Sequence, residues 1–524
     1  HALRFQKDPR IPVIRKEFEL SAQQFLSFEL IPLQTDTFRP EPNILSDSEL
    51  NVGADFQTQI DYFLERDKRK AILTLIPVRQ THNGDFERLK EFKLLVKVQE
   101  DGPTLLAAVP DYTRHSVLEK GNIHKIAIDK PGIYKIDKAY LEKNLKINAG
   151  SINPNNIHIY GNGGTKLPEA NSAKREDDLA ENHIFVSGAE DGVFNDQDFI
   201  LFYASGPDLL NYDESAGDFI MTKNPYSFKS FYFIKIDDSP GLRIQKTSLI
   251  DNGDYQSQEG QMCIHYQKEL YNLLELGDCT HGTGQMWFGE DLSNTRTLDL
   301  GNTFSFPYIV KDRKAKLRVS FASRSNRSSQ LKVDVGNQSF SKFLGTINYS
   351  CTSTYAAINQ IVEDFDPQEE IVKLKLTFPD NGSNSNGWLD FVQITAWRKF
   401  QWNNEPMFVF DPATSGFNYS SYIVENAGLP GMLAWDISDP LRPLEIPGKI
   451  NGNNFIFTDS SKLMRKSYLV FQSSSPYPAP EYSGLIPNQN LHGMDGLDFL
   501  IVYPEILKAE AEKLELTYTQ ASDQ

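Results

Sequence analysis

GNIHKIAIDKPGIYKIDKAYLEKNLKINAGSINPNNIHIYGNGG, residues 121–164, is the most legible stretch of this chain. Apolar and polar residues alternate from Ile123 to Ile128, the period of a half-buried strand. Pro131-Gly132 supplies a turn, and Gly132 to Ile136 reads as the return strand. Asp137 then stands where its carboxylate caps a short helix carrying Tyr140, Leu141 and Leu145. Ile157 to Tyr160 is a further strand, stopped by the Gly161 to Gly164 loop, and two more follow at His183 to Ser187 and Asp198 to Ala204. The stretch 113–250 therefore reads as a compact α+β domain.

One candidate ligand site lies in it. Asp191, Asn195, Asp196 and Asp198 bring oxygen side chains close together on a loop that Gly192 lets turn sharply, which suits a hard cation such as calcium. The spacing is not that of an EF-hand, because the glycine comes early and no glutamate closes the loop. The competing reading is an Asx-rich turn whose side chains bond nearby amides. The Gly161 to Gly164 loop lacks the Lys-Ser/Thr ending of a phosphate-binding loop and reads as a tight connection.

At 524 residues the chain exceeds one core and suggests three or four domains. Aromatics at 12%, including 34 Phe and 22 Tyr, favour strands over helical bundles, so the fold class expected is mostly β and multidomain. A formal charge of −17 argues against a nucleic-acid partner, since phosphates need a basic face. No apolar run approaches the roughly 20 residues of a membrane-spanning helix. The chain opens at His1 without a charged-then-apolar leader, so a signal peptide is expected to be absent from it by cleavage or omission. Cys263, Cys279 and Cys351 leave one disulfide with an odd thiol, or three idle thiols; the second reading is preferred.

Taken in order, residues 1–112 read as a small β-rich domain, with strands at Ala71 to Val78 and Leu89 to Val98 about a turn at Asn83-Gly84, and a strand pair within Glu17 to Leu33. In Gln261 to Leu276, residues Cys263, Tyr266, Leu270 and Leu273-Leu274 fall on one helical face, the helical lead-in of the domain at 251–400. Cys279 and His281 are two apart, but catalytic thiol–imidazole pairs come from separate segments, and the pair reads as a bystander. Within a domain at 251–400, residues Thr297 to Phe400 carry the strongest strand signal, notably Leu317 to Ala322, Leu331 to Val335, Val372 to Phe378 and Phe391 to Trp397, and suggest a two-sheet jelly roll. Trp388 and Trp402 are candidate sugar-stacking rings, although aromatics on strands more often fill a core. Residues 401–472 continue as a further β domain, and 473–496, rich in Ser and Pro at its start, reads as a linker. The apolar run Leu497 to Tyr503, then Pro504 and a helix over Ile506 to Leu514, looks like the opening strand and helix of an α/β domain.

An ordered series of motifs carries a family resemblance: GIYKID (132–137), INPNNIHIYGNGG (152–164), LPE (167–169), DDLAEN (177–182), DGVFNDQDFILFYASGPD (191–208), GWLDFVQITAWRKF (387–400), AWDISDPLRPLEI (434–446) and NQNLHG (488–493). The chain resembles, from Ser116 to about Leu514, the N-terminal half of the type IX secretion system surface sortases, gingipain-like cysteine peptidases of Bacteroidota. The resemblance implies a non-catalytic front region and a peptidase whose nucleophilic Cys and basic His lie in a later domain, so no residue of this chain is assigned a catalytic role. It implies removal of C-terminal secretion signals from cargo proteins and their linkage to anionic lipopolysaccharide. The partners it implies are an outer-membrane β-barrel and the cargo, and the location is the cell surface. The sequence departs from that pattern at its end, where ELTYTQASDQ replaces the expected continuation; either a longer polypeptide or a truncated product is expected. The alternative is a glycan-binding or adhesin-type β-sandwich with no peptidase activity.

Overall fold

The structure is a computed structural model that describes residues 13–21, 24–38, 55–65, 68–81, 85–99, 113–170, 173, 175–273, 285–349, 354–381, 385–462, 465–494 and 500–522. The chain divides into two compact units, residues 1–112 and 113–524. It is mostly β and multidomain.

The first unit holds two three-stranded antiparallel sheets. In one, Lys68–Leu75 lies between Ile14–Leu20 and Thr58–Glu65; in the other, Phe86–Gln99 lies between Phe25–Phe38 and Val78–Gln80. Its core is small, Leu20, Leu26 and Ala71 with Phe18, Ile60 and Val96 against them. The Asn83-Gly84 turn lies outside the described residues.

In the second unit, residues 123–236 build the α+β module from two sheets. One runs Ile157–Tyr160, Ser230–Ile236, Ile123–Ile128 and then Glu481–Ile486; the other runs Phe185–Ser187, Phe199–Ala204 and Gly132–Asp137. Asp137 caps the helix Lys138–Lys143, accepting the Tyr140 amide proton at 2.8 Å, and that helix lays Tyr140 and Leu141 onto a core with Ile126, Ile136 and Phe202. Gly164 is required where it stands: its φ is +79°, and a Cβ there would lie 1.9 Å from the Ser230 Cβ.

The strand Glu481–Ile486 corrects the expected linker at 473–496. It is the edge strand of the first of those sheets, with Tyr482 opposite Ile126 and its hydroxyl 3.2 Å from His124 Nδ1. Ser- and Pro-rich sequence precedes it, but an edge strand needs only one bonded partner and tolerates Gly484 at a register shift.

The jelly-roll-like sandwich packs the sheet Glu259–Gln267, Asn386–Lys399, Ala315–Arg324, Ala357–Phe365 against the sheet Thr297–Asp299, Leu374–Thr377, Ser329–Val335, Gln338–Leu344. Leu317, Val319, Phe321, Val333, Leu376, Phe378 and Ile394 fill the space between them. Each such side chain contributes about 1.5–3 kcal/mol by leaving water. The helical face expected over 261–276 is instead the strand Glu259–Gln267. Period 2 wins because Met262, Ile264 and Tyr266 face the core, while the long strand 386–399 offers a full row of partners.

A second sandwich surrounds that one in sequence. Gln245–Lys246 and Tyr255–Ser257, from before the jelly roll, pair in parallel with Leu444–Ile446 and Tyr419–Val424, from after it. Its core holds Trp402, Tyr422, Phe457 and Tyr468, and a further cluster of Trp435, Phe471, Ile133 and Leu201 joins it to the α+β module. Residues 123–486 are therefore tied together by strand exchange as well as by packing.

Residues 500–503 form no strand, contrary to the expectation for 497–503, of which the first part lies outside the described residues; Leu500 and Val502 are exposed. An apolar run becomes a strand only where neighbours satisfy its backbone. A short turn at Glu505–Leu507 leads into the helix Lys508–Ser522, which is exposed along most of its described length.

Candidate functional site

The outward face of the jelly roll's first sheet carries a cluster of polar side chains. On the strand Glu259–Gln267 the core-facing Met262, Ile264 and Tyr266 alternate with Cys263, His265 and Gln267 on the other face. Register places these beside their counterparts on three further strands. His265 pairs with Gln393 and Gln393 with Arg318; Gln267 pairs with Phe391, Phe391 with Ser320, and Ser320 with Gln360. Four strands, several of them distant in sequence, thus present one grid of amide, imidazole and guanidinium groups.

A hairpin of the α+β module, Leu209–Asp213 with Asp218–Thr222, clamps one end of this grid. The Asp218 carboxylate, 2% exposed, accepts the Thr395 hydroxyl at 2.6 Å, and the Phe219 carbonyl accepts from Gln393 Nε2 at 2.8 Å. On its other side the hairpin sets Tyr212 and Phe219 5.0 and 5.2 Å from the Phe410 ring of the second sandwich. Beneath the clamp, burial pushes the Cys263 thiol up to about 12, with a weaker opposing hydrogen bond from Thr395. Cys263 is the one cysteine among the described residues, and its sulfur is not a thiolate at neutral pH.

Beside the clamp opens a cavity of about 230 Å³, lined by Lys223, His265, Gln267, Arg318, Gln360 and Asp390 among others. His265 Nδ1 lies 3.1 Å from Gln393 Oε1 and its Nε2 lies 2.9 Å from Gln267 Oε1. Both amides are oriented by other bonds, Gln393 to Phe219 and Gln267 to Glu269 at 2.6 Å. Burial lowers the His265 pKa, and a neutral ring donates to only one of those two oxygens. Burial also raises the carboxyl pKa values of Asp390 and Glu269. A second cavity of about 360 Å³ adjoins through Lys223 and is lined by Asn224, Tyr226, Phe228, Glu269, Gln285 and Trp287 among others. Tyr226 is 87% exposed, Phe228 78% and Trp287 41%.

The residues singled out in the sequence lie elsewhere. In the Asp191 loop, Asp191 Oδ1 accepts the Val193 amide, Asp198 Oδ2 the Asn195 amide and Asn195 Oδ1 the Gln197 amide, at 2.9, 2.7 and 3.0 Å. Asp196 points to Lys138 Nζ, 2.8 Å away. Backbone amides thus occupy these oxygens in Asx-type turns. Among the described residues no group of three or more His, Cys, Asp or Glu side chains is placed to hold a metal. Trp388 and Trp402 are each 5% exposed and fill cores, which corrects the stacking role: neither offers a ring face to a ligand. Cys279 and His281 lie outside the described residues. The polar grid was missed because its members are scattered from Cys263 to Gln393; the alternation at Cys263, His265 and Gln267 was the local sign of it.

No protein-family model and no curated relative matches the chain. Among solved structures, the crystal structure of dimeric latent PorU from Porphyromonas gingivalis is similar at a TM-score of 0.65 and 19% identity, over 77% of this chain and 36% of that one. The chain has a PorU-like fold. It spans about a third of the length of that PorU chain, 36%. A carbohydrate-binding module, the CBM36-1 domain of a multidomain xylanase from the hindgut metagenome of Trinervitermes trinervoides, aligns over 26% of this chain and 96% of its own. That alignment has 8% identity and a TM-score of 0.15, too low to bear on the fold.

Proposed function

We propose that this chain is the non-catalytic front part of a sortase-like cysteine peptidase of the type IX secretion system, acting at the cell surface. The whole protein removes C-terminal secretion signals from cargo and links the cargo to anionic lipopolysaccharide; this part positions the peptidase and binds partners, an outer-membrane β-barrel and the cargo among them. The observation that carries the reading is the correspondence with latent PorU over 77% of the chain. Two features of the fold support a positioning role. The return strand Glu481–Ile486 pins the chain to the first sheet just before it runs on towards residue 500, and the 209–222 hairpin braces three modules at once. A platform that carries a peptidase needs such rigidity to hold its geometry.

Incubating the purified chain with a cargo protein that bears its C-terminal signal tests the non-catalytic assignment: the cargo stays uncut, and cleavage by this chain alone overturns it. Photo-crosslinking in intact cells tests the partner assignment, with an outer-membrane β-barrel protein expected as adduct; adducts to other proteins only would overturn it.

A further inference from the structure

We propose that the two adjoining cavities on the outer face of the jelly roll form one groove that binds a short, uncharged oligosaccharide. This goes beyond the positioning role above and does not depend on it.

The two central strands of the groove floor exclude recognition by backbone pairing. Ala315–Arg324 is bonded on both sides, to Ala357–Phe365 and Asn386–Lys399, and Asn386–Lys399 is bonded on both sides as well, to Ala315–Arg324 and Glu259–Gln267. A peptide cannot add itself to these two strands, so across the middle of the floor side chains must do the recognising. Those side chains are Gln267, Gln360, His265, Arg318 and Asp390, a mixture of donors and acceptors. Sugar hydroxyls donate and accept at once, and they match such a mixture better than ligands of a single polarity do. Gln393, 1% exposed and bonded to Phe219, fixes one edge of the set, so the polar groups are held before a ligand arrives.

The second cavity supplies what the first lacks. Trp287, Tyr226 and Phe228 expose their rings around Asn224, Glu269 and Gln285. Ring faces next to amide and carboxyl groups suit the C–H faces and hydroxyl rims of pyranoses. Both cations of the groove already stand against carboxylates, Lys223 with Asp208 and Arg318 with Asp218, and burial favours the neutral forms of Glu269 and Asp390. A strongly anionic or cationic ligand therefore gains nothing here over a neutral one. Together the cavities fall within the roughly 300–1,000 Å³ typical of small-ligand sites.

The test is titration of the full chain with neutral hexasaccharides (maltohexaose, cellohexaose, xylohexaose, mannohexaose), read by calorimetry and by Trp fluorescence, together with a printed array of neutral glycans. Saturable binding of at least one is expected. Trp287→Ala and Tyr226→Ala, both at exposed positions, each weaken it about tenfold, a loss of about 1.4 kcal/mol. Gln360→Ala weakens it severalfold, and Phe343→Ala, exposed on the other sheet, leaves it unchanged. Absence of binding to every neutral glycan overturns the proposal. So does binding that survives the Trp287→Ala/Tyr226→Ala double variant, or a groove that takes only sulfated glycans or only a proline-rich peptide.

Discussion

His158 offers the sharpest test of the electrostatics that hold the α+β module. It lies on the strand Ile157–Tyr160, 3% exposed, with Nδ1 2.8 Å from Glu181 and Nε2 3.1 Å from Asp237 and 3.0 Å from the Ser239 carbonyl. Burial alone would push its pKa down. The Glu181 hydrogen bond and the two carboxylate charges outweigh that, and the pKa is raised. Consider His158→Phe, which keeps an aromatic ring and removes both donors. Breaking a buried ion pair can cost about 3–5 kcal/mol where the remaining charge is orphaned. Here Glu181 keeps the Leu242 amide and Asp237 keeps the Ser239 amide and hydroxyl, so the expected cost is nearer to about 2 kcal/mol, that of charged hydrogen bonds.

A raised histidine pKa stabilises the fold fully below the unfolded value of about 6.5, and that contribution is lost as pH rises through the folded value. Glu181 and Asp237 have lowered pKa values: against the opposing effect of burial, hydrogen bonds from His158 and Leu242 act on Glu181, and those of Ser239 on Asp237. Their contribution holds above the unfolded carboxyl range of about 4 and is lost as pH falls through the folded values. Because several modules need not unfold together, the assay is hydrogen exchange of peptides covering Ile157 to Tyr160, normalised for intrinsic rates. At pH 6 the variant exchanges about 30-fold faster, the equivalent of about 2 kcal/mol. At pH 9 the ratio is severalfold smaller. An equal ratio at both pH values, or less than about threefold at pH 6, would refute the reasoning.

Further outcomes concern the hairpin and the tryptophans. In the folded chain the Cys263 peptide resists iodoacetamide at pH 7.5 by mass spectrometry and reacts on denaturation; Asp218→Ala, which removes the partner of Thr395, speeds its native-state modification severalfold by freeing the hairpin. Trp388→Ala and Trp402→Ala each destabilise the fold by about 3–5 kcal/mol, measured by denaturant titration, because both rings fill cores.

Local patterns were readable wherever a residue's neighbours in sequence are also its neighbours in space. The strands 123–128 and 132–136, the Asp137 cap and the alternating strands 317–322 and 331–335 are of this kind, although 132–136 does not return along 123–128 as expected: it joins Phe199–Ala204 in a separate sheet. Contacts between distant segments left no local mark. Ser257 lies beside Tyr422, and Tyr482 beside Ile126, so neither the nested second sandwich nor the return strand announces itself. Over 261–276 the apolar spacing fits a helix until the partner strand 386–399 is in place. At 497–503 the opposite holds: apolar composition is present, and the described part, 500–503, has no bonded strand. The groove was illegible for the same reason, since His265, Arg318 and Gln393 meet only through register. The Asp191 loop shows the limit of composition, because Asp191 and Asp198 spend their oxygens on amides two and three residues away.

Intact-mass analysis of surface cargo is the most direct check on the assignment as a sortase front part. In the source bacterium, removal of residues 113–486 in frame is expected to leave cargo proteins carrying their C-terminal signals, and restoring the segment returns the trimmed, lipopolysaccharide-linked forms. Cargo trimmed and linked as in the parent strain, with the segment gone, would contradict the account.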